Sequence, residues 1–62
     1  MTHATRYNRE LALKYLANNE DATMNDSTCE AFYRRAFNVP ADKDVDLETI
    51  EHWIVFGKGV KS

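Results

Sequence analysis

One cysteine and two histidines are the residues of this chain best suited to nucleophilic or metal chemistry: Cys29, His3 and His52. A nucleophile needs a positioned base beside it, and structural zinc needs four ligands that usually come in closely spaced pairs. Cys29 instead falls on an apolar helical stripe, where a small buried residue is typical. We therefore predict no catalytic, cofactor-binding or metal-binding residues, and no enzymatic activity.

Three alternating carboxylates, at Asp42, Asp44 and Asp46, resemble the first ligands of a calcium loop. Such a loop also needs a glycine at its sixth position and a carboxylate at its twelfth. Those positions hold Leu47 and Trp53 here, so the pattern fails. We interpret the acidic residues as a solvated loop and a helix cap.

An arginine pair, Arg34 and Arg35, is the feature most typical of nucleic-acid binding, with Arg6 and Arg9 as further candidates. Arginines on an exposed helix face can contact phosphates. A helix-turn-helix needs a turn of about three or four residues, whereas the segments between the predicted helices are longer and acidic. Nucleic-acid binding through these arginines is therefore the alternative function.

Charge is unevenly distributed along the chain. Residues 1–19 carry a net charge of +2 and residues 20–51 a net charge of −6, within an overall net charge of −2. An acidic middle disfavours extensive contact with phosphate backbones, which requires clustered cations.

Composition indicates a folded chain, because 44% of the residues are hydrophobic and seven are aromatic. A disordered chain lacks such bulk. No stretch approaches the roughly 20 apolar residues of a membrane span, so we expect no membrane partner. A lone thiol suits a reducing compartment, which predicts a cytoplasmic location.

The first predicted helix runs from Ala4 to Asn18. Tyr7, Leu11 and Tyr15 recur every four residues and define one broad apolar face at the helical period. Three further residues belong to this face: Ala4, Ala12 and Leu16. Asn18 and Asn19 can end this helix, because asparagine tolerates the left-handed conformation that often follows a helix.

The second predicted helix begins at Ser27, which forms a capping-box pattern with Glu30. An earlier start, with Thr23 and Asp26, is the alternative. Asn38 is the predicted C-cap, and Pro40 prevents continuation. Five residues share the apolar stripe of this helix: Cys29, Phe32, Tyr33, Ala36 and Phe37.

The third predicted helix has Asp46 as its N-cap and Gly57 as its stop. Val45 and Ile50 match a hydrophobic staple across its start. Residues 52–56 are also rich in β-branched and aromatic side chains, so a short strand is the alternative there. The four residues on its apolar face are Leu47, Ile50, Trp53 and Ile54. The predicted fold is all-α, a single three-helix domain spanning residues 1–62.

Three apolar residues, Leu13, Val55 and Phe56, lie outside the apolar faces of the predicted helices. Several such residues on a small domain indicate a second buried surface, and Trp53 and Phe56 are types that anchor interfaces. We therefore predict a non-catalytic protein-binding module, acting as a small regulator, inhibitor or adaptor.

The predicted partner is another protein or a second copy of the chain in a homodimer. The acidic segment from Asp42 through Asp44 to Glu51 is expected to steer a basic partner toward this surface.

Overall fold

The computed structural model describes residues 3–57, which form three helices: α1 (His3–Asn18), α2 (Ser27–Phe37) and α3 (Leu47–Phe56). No strand occurs within these residues, so the predicted all-α architecture is confirmed and the alternative strand at 52–56 is wrong. This segment completes α3, and the Gly57 N–H donates to the Trp53 carbonyl at 2.7 Å. The helix satisfies its own backbone groups, whereas a strand would need a partner strand.

Among residues 3–57, six buried apolar residues form a core that joins the three helices. Trp53 and Ile50 are the two bulkiest fully buried side chains, and both come from α3. The fully buried apolar residues of α1 and α2 are small, and these two helices approach each other more closely than either approaches α3. The buried apolar residues are Ala12, Cys29, Ala36, Ile50, Trp53 and Ile54.

α1 buries only part of the predicted apolar face: Ala12 is fully buried, and Tyr15 and Leu16 pack against the core. Tyr7, expected in the core, is 59% exposed, whereas the polar residues Thr5 and Asn8 are buried. Thr5 donates through its hydroxyl to the Ala36 carbonyl at 3.3 Å, and Asn8 donates through its amide to the Ala4 carbonyl at 2.8 Å. Because both polar groups are hydrogen-bonded, their burial costs little, and apolar periodicity alone did not reveal this face.

The start of α2 corrects the predicted cap by one residue. Asp26, not Ser27, is the N-cap, and its carboxylate accepts from the Cys29 N–H at 3.0 Å. Glu30 does not complete the expected capping box and instead pairs with Arg34 at 2.9 Å. Aspartate accepts a charge-assisted hydrogen bond at the positive end of the helix dipole, so it is the better cap.

α1 begins at His3, one residue before the predicted Ala4, and the remaining helix ends agree with the predictions. Asn38 ends α2 in the left-handed conformation, with φ of 56°, and Gly57 ends α3 with φ of 80°. At the start of α3, Asp46 accepts from the Glu48 N–H at 3.0 Å. Two residues of the predicted stripes are nonetheless more exposed than expected, namely Phe37 and Leu47.

Candidate interaction surface

A shallow groove runs along the outer side of α3, beside the loop that joins α1 to α2. Its volume is about 220 Å³ and it is open to solvent. We call it the α3 groove. The residues that line it are Met24, Glu48, Glu51, His52, Val55 and Phe56.

The apolar part of the α3 groove comes from the last turn of α3. Trp53 and Ile54 occupy the inner side of this turn, so the next two residues, Val55 and Phe56, face outward. They are 52% and 63% exposed. The Phe56 ring lies against the His52 ring, with centroids 4.6 Å apart, so the helix itself orients the most exposed aromatic ring.

The polar part of the α3 groove is acidic. Glu48 is exposed and Glu51 is half-buried, and Asn25 donates through its side-chain amide to the Glu51 carboxylate at 3.0 Å. That hydrogen bond ties the loop carrying Met24 to α3. Within residues 3–57 no lysine or arginine forms an ion pair with either glutamate. The α3 groove therefore presents two carboxylates beside an apolar surface.

The structure brings only part of the predicted protein-binding set together. Val55 and Phe56 line the α3 groove, whereas Leu13 lies on α1 and is not among the lining residues. Leu13 does point away from the core, as predicted, with 39% exposure. Asp42 and Asp44 are exposed in the loop before α3, outside the groove lining.

Trp53, predicted as an interface anchor, is instead fully buried. Its ring meets those of Tyr33 and Phe37 edge-on, with centroids 5.5 and 5.8 Å away. A partner cannot reach Trp53 in this structure, so we remove it from the candidate surface. Tryptophan is suited to both cores and interfaces. Only the packing of the folded chain decides which of the two locations Trp53 takes.

Two of the four candidate nucleic-acid contacts, Arg9 and Arg34, form intramolecular hydrogen bonds instead. Arg9 donates to carbonyls at the end of α3, and Arg34 pairs with Glu30 and donates to the Pro40 carbonyl at 2.6 Å. Arg35 is exposed and lies over the Phe32 ring at 5.0 Å. Arg6 is exposed on α1.

The environment of Cys29 is that of a core residue. The side chain is fully buried, and burial raises the pKa of its thiol to about 11, with the nearby Asp26 carboxylate adding to the effect. A thiol in this state is a poor source of the nucleophilic thiolate. In residues 3–57 no three histidine, cysteine or carboxylate groups come together as a metal site. The His3 side chain lies outside the described part of the chain.

Two lining residues, Met24 and His52, were not among the predicted partner-binding residues. Met24 belongs to a loop, where helical periodicity gives no signal, and the structure packs it against both the core and the α3 groove. Glu48 and Glu51 fell within the predicted acidic segment. The signal for this site was therefore the run of acids in α3 together with its surplus apolar residues.

No helix of the described region combines the length and the apolar character needed to cross a bilayer. No protein-family model, curated protein sequence or solved structure matches this chain.

Proposed function

We propose that this chain is a non-catalytic protein-binding module that contacts another protein through the α3 groove. The observation that carries the proposal is the exposure of two adjacent apolar residues, Val55 and Phe56, on a groove that also contains Met24. Aromatic residues and methionine are enriched in protein interfaces. Covering this surface would remove apolar area from water, which is the main favourable term in association.

The arrangement of the arginines supports protein binding over nucleic-acid binding. Arg9 and Arg34 already donate to groups of the chain itself, which leaves Arg6 and Arg35 among the four candidates. Two cations on different helices give a weak electrostatic contribution to phosphate binding. The α3 groove is acidic and would repel a phosphate backbone.

A small module that binds through the α3 groove fits the role of a regulator, inhibitor or adaptor, which acts by occupying a surface of its partner. A reducing, cytoplasmic setting belongs to the same proposal, because the single thiol is buried and unpaired with another cysteine.

Site-specific photo-crosslinking in the cell of origin tests the proposal. A photoreactive residue placed at position 56 should crosslink a partner protein, whereas one at position 7, equally exposed but outside the α3 groove, should not. The partner identified by crosslinking is then purified separately, without the crosslink. Its affinity for the present chain is measured by calorimetry. Phe56→Ser should weaken binding by at least about 5-fold, as expected for an interface anchor.

Tyr7→Ser is the matched control, because it also removes an exposed aromatic ring, and it should change the affinity less than about 2-fold. Equal effects of the two substitutions, or crosslinking that does not depend on position, would contradict the proposal.

A further inference from the structure

We infer that the partner segment bound by the α3 groove is basic and amphipathic, with a bulky apolar side chain flanked by lysine or arginine. This inference rests on the proposed protein-binding function and specifies the chemistry of the partner.

The charge of the α3 groove is the first argument. Glu48 and Glu51 are three residues apart on one helix, so their Cβ atoms lie about 5–6 Å apart on the same side. Neither carboxylate forms an ion pair with a lysine or arginine within residues 3–57. Among the described residues, the lining contains these two carboxylates and no lysine or arginine. A potential of this sign attracts cationic partners and rejects anionic ones.

The size and shape of the α3 groove are the second argument. Its volume of about 220 Å³ is below the roughly 300–1,000 Å³ of small-molecule sites. A shallow, open site of this size holds one or two side chains of a polypeptide better than it encloses a small molecule. Phe56, Val55 and Met24 would contact the apolar side chain, while the two glutamates would contact its cationic neighbours.

A second copy of this chain fits the α3 groove less well. A two-fold contact would place the same surface on both sides, so the glutamates of one copy would face those of the other. Phosphate backbones and anionic lipid headgroups carry the same sign of charge as the groove. A basic protein segment is therefore the occupant that the charges favour.

Model peptides test the inference on the whole chain. The probes are a short helical peptide with leucine on one face and lysine on the other, a matched peptide with glutamate in place of lysine, and a lysine peptide without leucine. Amide chemical shifts of the ¹⁵N-labelled protein report binding. The leucine–lysine peptide should shift signals of Met24, Glu48, Val55 and Phe56, and the other two peptides should bind at least about 5-fold more weakly.

Charge-neutralising variants supply the second measurement. The double variant Glu48→Gln and Glu51→Gln keeps the oxygen that accepts from Asn25. It should weaken binding of the leucine–lysine peptide by about 2- to 30-fold, as expected for two exposed ion pairs. The matched double variant Asp42→Asn and Asp44→Asn changes the net charge equally outside the groove lining, and should have less than about a 2-fold effect.

The outcomes separate this inference from the proposed function. If the glutamate peptide binds as tightly as the lysine peptide, or if the two double variants have equal effects, the basic partner is excluded. If Phe56→Ser still weakens binding of the partner identified by crosslinking at least about 5-fold, protein binding through the α3 groove stands in either case. If that substitution leaves partner binding intact, the proposed function itself fails.

Discussion

Arg9 links the first helix to the end of the last one. Its Nε donates to the Trp53 and Ile54 carbonyls at 3.2 and 3.0 Å, and its Nη2 donates to the Val55 carbonyl at 3.4 Å. Carbonyls in the last turn of a helix generally lack a donor within the helix, and a cation there is also favoured by the helix dipole. Of these three carbonyls, that of Trp53 also accepts from the Gly57 N–H. Arg9 therefore holds in place the same turn that presents Val55 and Phe56.

Replacing Arg9 by alanine should lower the free energy of unfolding by about 1–2 kcal/mol, because several hydrogen bonds to a charged donor are lost at a half-exposed site. The stability of Arg9→Lys should lie between those of the parent and Arg9→Ala, since lysine keeps the charge but not the planar guanidinium group. Urea denaturation measures both. Arg6→Ala on the same helix is the control and should stay within about 0.5 kcal/mol of the parent. Equal losses for Arg6 and Arg9 would exclude this role.

Asp26 connects the α2 start to α1. Its Oδ2 accepts from the Tyr15 hydroxyl at 2.6 Å, and its Oδ1 accepts from the Cys29 N–H at 3.0 Å. The Tyr15 hydrogen bond, followed by the Cys29 N–H, holds the pKa of Asp26 below its ordinary value of 3.8. The same hydrogen bond raises the pKa of Tyr15.

The stability supplied by Asp26 should depend on pH. A lowered folded-state pKa contributes stability that is complete above the ordinary pKa and is lost as the pH falls through the folded value. Asp26→Asn keeps a capping oxygen but loses the charge, so it should reduce the free energy of unfolding at neutral pH by up to about 1 kcal/mol. Thermal unfolding at several pH values should show this difference shrinking below pH 3.8.

Asp21→Asn serves as the control for Asp26→Asn, because it makes the same charge change at an exposed loop position. Its difference from the parent should be small and nearly constant with pH. A gap for Asp26→Asn that persists unchanged in acid would show that the carboxylate charge contributes nothing.

At the scale of the element, α3 combines two roles in ten residues. Its inner side supplies Ile50, Trp53 and Ile54 to the core, and its outer side supplies most of the α3 groove. The two roles are coupled, because detachment of α3 from the core would also disrupt the α3 groove. Mutations on the inner side should therefore affect binding only through unfolding, whereas outer residues can be changed without loss of the fold.

The end of α3 depends on the conformation of Gly57. Gly57→Ala should lower the free energy of unfolding by about 1 kcal/mol, because φ of 80° is strained for a residue with a Cβ. A Cβ there would meet the Arg9 guanidinium at 3.6 Å, an ordinary contact, so the cost comes from the backbone. Gly57→Asn should cost less, since asparagine tolerates this conformation. This explanation would be contradicted if chemical denaturation gave Gly57→Asn a lower free energy of unfolding than Gly57→Ala.

At the scale of the whole molecule, the small core gives the domain only a small free energy of unfolding. A domain of this size rarely obtains more than about 3–5 kcal/mol from its core, so the cap at Asp26 and the contacts of Arg9 each represent a large share. The buried Trp53 Nε1 has no hydrogen-bond partner among the described residues. Leaving such a donor unpaired costs about 1–3 kcal/mol, which lowers the free energy of unfolding further.

We expect the isolated chain to be monomeric at neutral pH. Self-association through the α3 groove would oppose glutamates of like charge, and the exposed apolar area is modest. Sedimentation velocity at two protein concentrations should give one unchanged coefficient. A coefficient that rises with concentration, and that Phe56→Ser restores to the monomer value, would instead make a second copy the occupant of the groove.

The sequence by itself determined the number of helices, most of their ends and the class of fold. These features depend on local chemistry, namely the apolar period, the carboxylate caps and the residues that tolerate left-handed backbone. Asp46, Asn38 and Gly57 were each identified from residue type and position. The exposure of Leu13, Val55 and Phe56 also followed from the pattern, because residues off a helical stripe have no core position.

Only the tertiary structure decided how each helix is rotated and which side chains are consumed by intramolecular contacts. Trp53 became core and not interface, Tyr7 turned outward while Thr5 turned inward, and Arg9 became a helix cap and not a phosphate contact. These outcomes depend on partners that are distant in sequence, such as the Ala36 carbonyl for Thr5. Residue type limits what a side chain can bind, but its neighbours in space determine whether that capacity is already used.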